Sequence, residues 1–179
     1  EILSQLEDVD LIFVPVGGGG LISGIASYIK HYRPKVKVIG VEPTDSATLH
    51  NALKGNERVI LEDVGRFADG VAVKQIGELP FEIAKKCVDD VVLVSNDEIC
   101  AAIKDIYEDV RAVSEPAGAL ATAGVKKYIL EHELKNKNIV SVVSGANVNF
   151  DRLRYIAERA DLGELTEAIM AVTIPEEPG

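Results

Sequence analysis

Short apolar runs alternate with amphipathic stretches along most of the chain. Residues 11–16, Leu-Ile-Phe-Val-Pro-Val, are apolar without polar alternation, the pattern of a strand buried on both faces. In residues 21–32, Ile22, Ile25, Ala26 and Ile29 recur at helical spacing, and Pro34 ends the helix they predict. Residues 36–41, 91–94 and 139–143 read as three further short strands. Between them the spacing predicts helices over 46–54, closed by Gly55, and over 79–88. A helix over 96–110 opens on a capping box, Ser95 with Glu98 three residues on. Another, from 115 to about 134, has Pro116 in its first turn and small residues at Ala119, Ala121, Ala123 and Gly124 that permit close packing. A last helix covers 149–160, broken by Asp161-Leu162-Gly163, and residues 168–174 read as a fresh strand. Residues 56–77 lack a strong period, hold the turn signal Asp69-Gly70, and form the longest loop-like stretch. Short apolar strands alternating with helices predict an α/β fold: a doubly wound, mostly parallel sheet with helices on both faces.

Composition narrows the function. The 179 residues are 47 % hydrophobic and 27 % charged, ordinary globular usage with enough chain for one substantial core. A net charge of −10 argues against nucleic acid, which requires a basic surface, and no apolar run approaches the roughly 20 residues of a membrane span. Cys87 and Cys100 fall in or beside predicted helices and read as reduced, packed thiols. His31, His50 and His132 are scattered without ligand-like neighbours, so no metal site is expected. Residues 1–9 read as the end of a helix already under way, and the chain is expected to be a piece of a longer protein.

The first strand runs directly into Gly17-Gly18-Gly19-Gly20 and then a helix start. The first N–H groups of a helix have no intrahelical partner and carry about half a positive charge, so this is an anion site in outline. Four glycines exceed what a tight turn needs, since each costs roughly 1 kcal/mol against alanine. Two readings stand: a backbone cradle for phosphate, or a flexible strand–helix loop. The spacing is neither that of a dinucleotide fingerprint nor that of a P-loop. Ser144-Gly145-Ala146-Asn147 follows the fourth strand, so both motifs occupy strand carboxyl ends, where ligands of parallel sheets bind.

Four segments, taken together and in order, resemble the threonine dehydratase family: Phe-Val-Pro-Val-Gly-Gly-Gly-Gly-Leu at 13–21, Asp-Gly-Val-Ala-Val-Lys at 69–74, Val-Ser-Glu-Pro-Ala-Gly-Ala-Leu at 113–120 and Ser-Gly-Ala-Asn-Val-Asn-Phe at 144–150. These are pyridoxal-phosphate enzymes of fold type II, and 147–150 together with the tail 167–177 resemble their biosynthetic branch. The resemblance implies pyridoxal 5′-phosphate as cofactor, with its phosphate on the backbone of Gly17, Gly18, Gly19, Gly20 and Leu21 and its ring nitrogen on Ser144. For Ser144 a helix N-cap or turn role stands beside this one. Glu115 is either near the pocket or simply a helix-entering acid, and Asp69-Gly70 either lies beneath the cofactor or is only a turn. Some relatives bind a divalent cation through a glutamate matching Glu42, but Thr48 stands where an aspartate is expected, so no metal is expected here.

No lysine here has the context of the family's Schiff-base lysine, which is expected upstream; Lys74 and Lys104 read as solvated charges. By the same resemblance, residues 1–163 would be the C-terminal part of the catalytic domain, and 164–179 the first strand of an ACT-like regulatory domain. The implied activity is conversion of L-threonine, and also L-serine, to the 2-oxo acid and ammonia on the route to isoleucine. A homo-oligomer, a tetramer in the family, with isoleucine or valine as effector is implied as well. The implied compartment is the cytoplasm, or a plastid in a eukaryote. Serine racemase or serine dehydratase of the same fold, a non-catalytic ligand-binding fragment, and a nucleotide-binding domain are the alternatives.

Overall fold

A computed structural model describes residues 1–166; the strand expected over 168–174, and with it the ACT-like start, lies outside the described residues. Four strands form one sheet: β1 (Leu11–Pro15), β2 (Lys37–Pro43), β3 (Asp90–Val94) and β4 (Ile139–Ser141). Every pairing is parallel and the spatial order is β3-β2-β1-β4. The helices among the described residues are α1 (Ile2–Gln5), α2 (Gly20–Tyr32), α3 (Thr48–Gly55), α4 (Glu78–Cys87), α5 (Asn96–Val110), α6 (Pro116–Glu131) and α7 (Arg152–Gly163), with a 3₁₀ turn at Asp69–Val71. None of the described helices is long and apolar enough to cross a membrane.

The unbroken apolar run of β1 follows from two cores, one on each face of the sheet. Leu11 and Phe13 join Ile39, Val41 and the apolar side chains of α5, α6 and α7. Ile12 and Val14 turn the other way, to Val38, Ile22 of α2, Leu49 of α3 and Phe81 of α4. Every strand residue of β1 is buried as a result. The stripe of small residues in α6 lets that helix sink into the first core, where Tyr128 meets Phe13 edge-on at 5.4 Å between ring centroids. The Ser95–Glu98 capping box is present, with both reciprocal bonds made.

Two helices depart from expectation at their ends. Gly55 does not close α3: the helix includes it, and Asn56 takes the left-handed conformation (φ 54°) with its N–H returned to the last turn. Asparagine tolerates that region almost as glycine does. The last helix starts later than expected and runs through Asp161-Leu162-Gly163. Tertiary contacts override the local break there: Lys104 of α5 donates to Asp161 at 3.1 Å and to Glu164 at 2.8 Å, fastening the end of α7 to α5.

Candidate functional site

The strand order reverses at β1. From it the chain steps outward through β2 to β3, whereas β4 lies against its other edge. Ligands of open parallel sheets bind beyond the carboxyl ends at such a switch point. Phe13 is the register partner of Ser141, and Phe13 O accepts the Val142 N–H at 3.1 Å. Gly17 and Ser144 lie four and three residues past these partners, so the two loops emerge side by side.

The four glycines divide into two kinds. A Cβ on Gly17 would sit 3.0 Å from Val71 Cα, and one on Gly19 would sit 2.8 to 2.9 Å from Pro80 and Ile76. Gly19 also adopts φ 88° as the residue capping α2. These two are glycine because the fold requires it. Gly18 and Gly20 have nothing within 4 Å of where a Cβ would stand. Packing among the described residues does not require glycine at either position. The N–H groups of Gly20, Leu21 and Ile22 precede the first intrahelical bond, Ser23 N–H to Gly19 O at 3.0 Å. No side chain caps this end of α2 and no acid lies in its first turn, while Lys30 and His31 occupy the last. The positive end of the helix is left open to an anion. Leu21 is half-exposed at its mouth.

Ser144 is exposed, and its hydroxyl makes no hydrogen bond among the described residues. It is not an N-cap, because α7 begins only at Arg152 with Asp151 before it. The loop it opens is tied to the start of α6. Gly145 O accepts from Glu115 N at 3.1 Å and from Ser114 Oγ at 3.0 Å, and Asn147 N donates to Glu115 Oε2 at 3.1 Å. Glu115 stands at the N-cap position of α6 yet makes no capping bond with its side chain. Glu115 thus enters the helix, as one of its two expected readings had it, and its carboxylate also bonds the neighbouring loop. Asp69-Gly70 does form a turn, wedged between the two walls. Val71 lies beneath Gly17, and a Cβ on Gly70 would meet Ala117 at 2.9 Å and Glu115 Oε1 at 3.5 Å. The buried hydroxyl of Ser114 was not singled out by its sequence context. The one sequence signal was Gly118, a glycine inside a helical pattern, whose Cβ would collide with Gly145 O.

Other candidates fall elsewhere. Glu42 is fully buried and caps the first turn of α3, accepting from Thr48 Oγ1 at 3.0 Å, Leu49 N at 2.8 Å and His50 N at 2.8 Å. Burial pushes its carboxyl above the ordinary value, while these donors pull it back. Lys74 is exposed, as expected of a solvated charge, while Lys104 is half-buried and paired. Lys74 donates to Glu62 O at 2.7 Å across the long loop, and Lys104 holds α7. Cys87 and Cys100 are free thiols.

Among curated proteins, the chain is 58 % identical over its whole length to the biosynthetic L-threonine dehydratase of Pasteurella multocida and covers 35 % of that protein. It is 56 % identical to the mitochondrial threonine dehydratase of Schizosaccharomyces pombe, covering 30 % of it. The chain therefore spans about a third of the length of these relatives. Among solved structures, the processed form of threonine deaminase isoform 2 from Solanum lycopersicum superposes with a TM-score of 0.89 at 46 % identity, over 90 % of this chain and 44 % of that one. Serine racemase from Dictyostelium discoideum gives 0.76 at 33 % identity, over 83 % of this chain and 47 % of that one. The family model for pyridoxal-phosphate dependent enzymes matches residues 1–145, a span that contains the glycine loop, the turn beneath it and the start of α6. This chain belongs to the family of pyridoxal-phosphate dependent enzymes.

Proposed function

We propose that the full-length protein is a threonine ammonia-lyase, converting L-threonine to 2-oxobutanoate and ammonia, with L-serine as a second substrate. The observation that carries this reading is the pairing, across the β1–β4 crevice, of an open glycine cradle with an unpartnered serine hydroxyl. Pyridoxal 5′-phosphate fits that pairing: Gly18 and Gly20 leave the room a phosphate needs, and the uncapped start of α2 supplies N–H donors and positive potential.

Bound there, the cofactor supplies an electron sink for the charge left at the substrate Cα when its proton departs. The residues of this chain hold and tune it. Backbone N–H groups of Gly17, Gly18, Gly19, Gly20 and Leu21 grip the phosphate, and the Ser144 hydroxyl pairs with the ring nitrogen. A hydroxyl is neutral, so it draws less charge toward that nitrogen than an aspartate would. That moderation suits an elimination, in which the β-hydroxyl leaves promptly. Val71 and Gly70 support the cradle from below. By the family resemblance, the lysine that carries the cofactor is assigned to the remainder of the full-length protein; Lys74 and Lys104 have structural partners here.

Residues 1–163 are assigned to the C-terminal part of the catalytic domain, and 164–179 to the start of an ACT-like regulatory domain. A homotetramer responding to isoleucine or valine, in the cytoplasm or an organelle according to the source, completes the proposal. The test is a steady-state assay of the full-length protein with L-threonine, L-serine and homoserine. Formation of 2-oxobutanoate from threonine is the expected result, and its absence overturns the assignment. Racemised serine without 2-oxobutanoate would instead favour the reading suggested by the likeness to serine racemase.

A further inference from the structure

We propose that Ser114 and Glu115 are positioning residues that set the Ser144 hydroxyl at the cofactor ring; this rests on the reading of Ser144 given above. Beyond β4, residues 142–149 have no regular secondary structure, so sheet pairing does not fix where Ser144 points. Three hydrogen bonds do so instead. Glu115 N donates to Gly145 O at 3.1 Å, the Ser114 hydroxyl shares its proton between Gly145 O at 3.0 Å and Glu115 O at 3.1 Å, and Glu115 Oε2 accepts the Asn147 N–H at 3.1 Å. All three grip the backbone within three residues of Ser144, and the first two hold the carbonyl of its immediate neighbour.

The grip is anchored in rigid structure. Ser114 is buried, and the helix that follows it is packed into the core from its first residue. The close approach requires Gly118, since a Cβ there would meet the backbone of Gly145, which cannot swing aside. One on Gly118 would stand 2.2 Å from Gly145 O, and one on Gly145 would stand 2.3 Å from Glu115 Oε1. A purely local role for Glu115 would have its carboxylate cap α6, and it makes no such bond. The same carboxylate also borders Gly70, in the turn beneath Gly17.

The test is a double-variant cycle in the full-length protein, read by pyridoxal-phosphate dissociation constant, visible absorption maximum and melting temperature of the apo form. Ser144→Ala and Glu115→Ala should each raise the dissociation constant about tenfold, the scale of one lost hydrogen bond at a charged or polar site. They should also displace the absorption maximum in the same direction. Glu115→Gln should restore most of the affinity, because an amide oxygen still accepts from Asn147. In the Ser144→Ala background, Glu115→Ala should add less than about a twofold change. Should Glu115→Ala not fold, Ser114→Ala takes its place in the cycle with the same expected result. Multiplicative losses in the double variant, or a Glu115→Ala effect confined to apo melting temperature, would overturn the positioning role and leave the reading of Ser144 intact. An unchanged dissociation constant in Ser144→Ala would overturn that reading, and the positioning role with it.

Discussion

Phe13 and Ser141 are register partners in the parallel β1–β4 pair, and Phe13 O takes the Val142 N–H at 3.1 Å. That one pairing brings together two segments more than a hundred residues apart, the glycine loop and the Ser144 loop. It does so at the position where the strand order reverses, the place in an open parallel sheet at which two neighbouring loops diverge and leave a crevice. The cofactor proposal depends on this adjacency more than on any single side chain.

The division of the glycines makes opposite forecasts for adjacent positions. Gly19→Ala forces a side chain into φ 88° and against Pro80 and Ile76, and should destabilise the fold by about 2–4 kcal/mol. Gly18→Ala enters open space and should change stability by no more than about 0.5 kcal/mol. Denaturant unfolding of the two variants measures the contrast; similar losses at both positions would mean that the loop is uniformly constrained.

The two thiols should react very differently. Cys100 is fully buried, and burial, with the negative charge of Asp97 nearby, pushes its thiol up to about 12. At pH 8 almost none of it is thiolate, and its side chain has no exposed surface. Cys87 is only half-buried. Titration of the native protein with a chromogenic disulfide should show a fast reaction confined to Cys87, with Cys100 reacting only after unfolding. Rapid modification of Cys100 in the native state would contradict the packing of α5 against the sheet.

Acid should loosen the start of the β1–β4 pair before the core. Asp10 accepts from Lys137 Nζ and from Asn138 N, both at 2.9 Å, and these bonds hold its carboxyl below the ordinary value of 3.8. Because the folded value is the lower one, the unfolded chain binds the proton more readily. The stabilisation is therefore fully present above pH 3.8 and is lost as the pH falls through the folded value. Asp10→Asn should flatten this part of the acid limb of the stability curve, as followed by urea midpoints between pH 5 and 2.5. An acid limb identical to that of the original chain would show that the clip contributes nothing.

The sequence made the elements legible where local physics decides them. The run at 11–16 announced a strand covered on both faces, and Ser95 with Glu98 announced the start of α5, because each signal is complete within a few residues. The order of the strands was not encoded so locally, and whether β4 or another strand flanks β1 became visible only in the sheet. Glu42 is the same kind of case: an acid at a strand end caps a helix that begins six residues later, a link that no spacing rule for local caps contains. The end of α7 runs past the expected break because Asp161-Leu162-Gly163, a weak helix former by itself, is held by α5, distant in sequence: Lys104 bonds Asp161 and Glu164, and Gly163 packs against Asp97 and Ala101. In the site, the glycine loop and Ser144 could be picked out by type and position. The bonds from Ser114 and Glu115 to Gly145 and Asn147 could not, since they join segments about thirty residues apart through backbone atoms that every residue shares.

The most direct measurement is the pyridoxal-phosphate dissociation constant of the full-length protein carrying Gly18→Asp, with Gly18→Asn as the neutral control. Either side chain enters open space, so the apo form should melt as the original does. A carboxylate a few ångströms from a bound phosphate should weaken binding about a hundredfold or more, and the asparagine far less. Unchanged affinity in Gly18→Asp would place the phosphate somewhere other than the loop between β1 and α2.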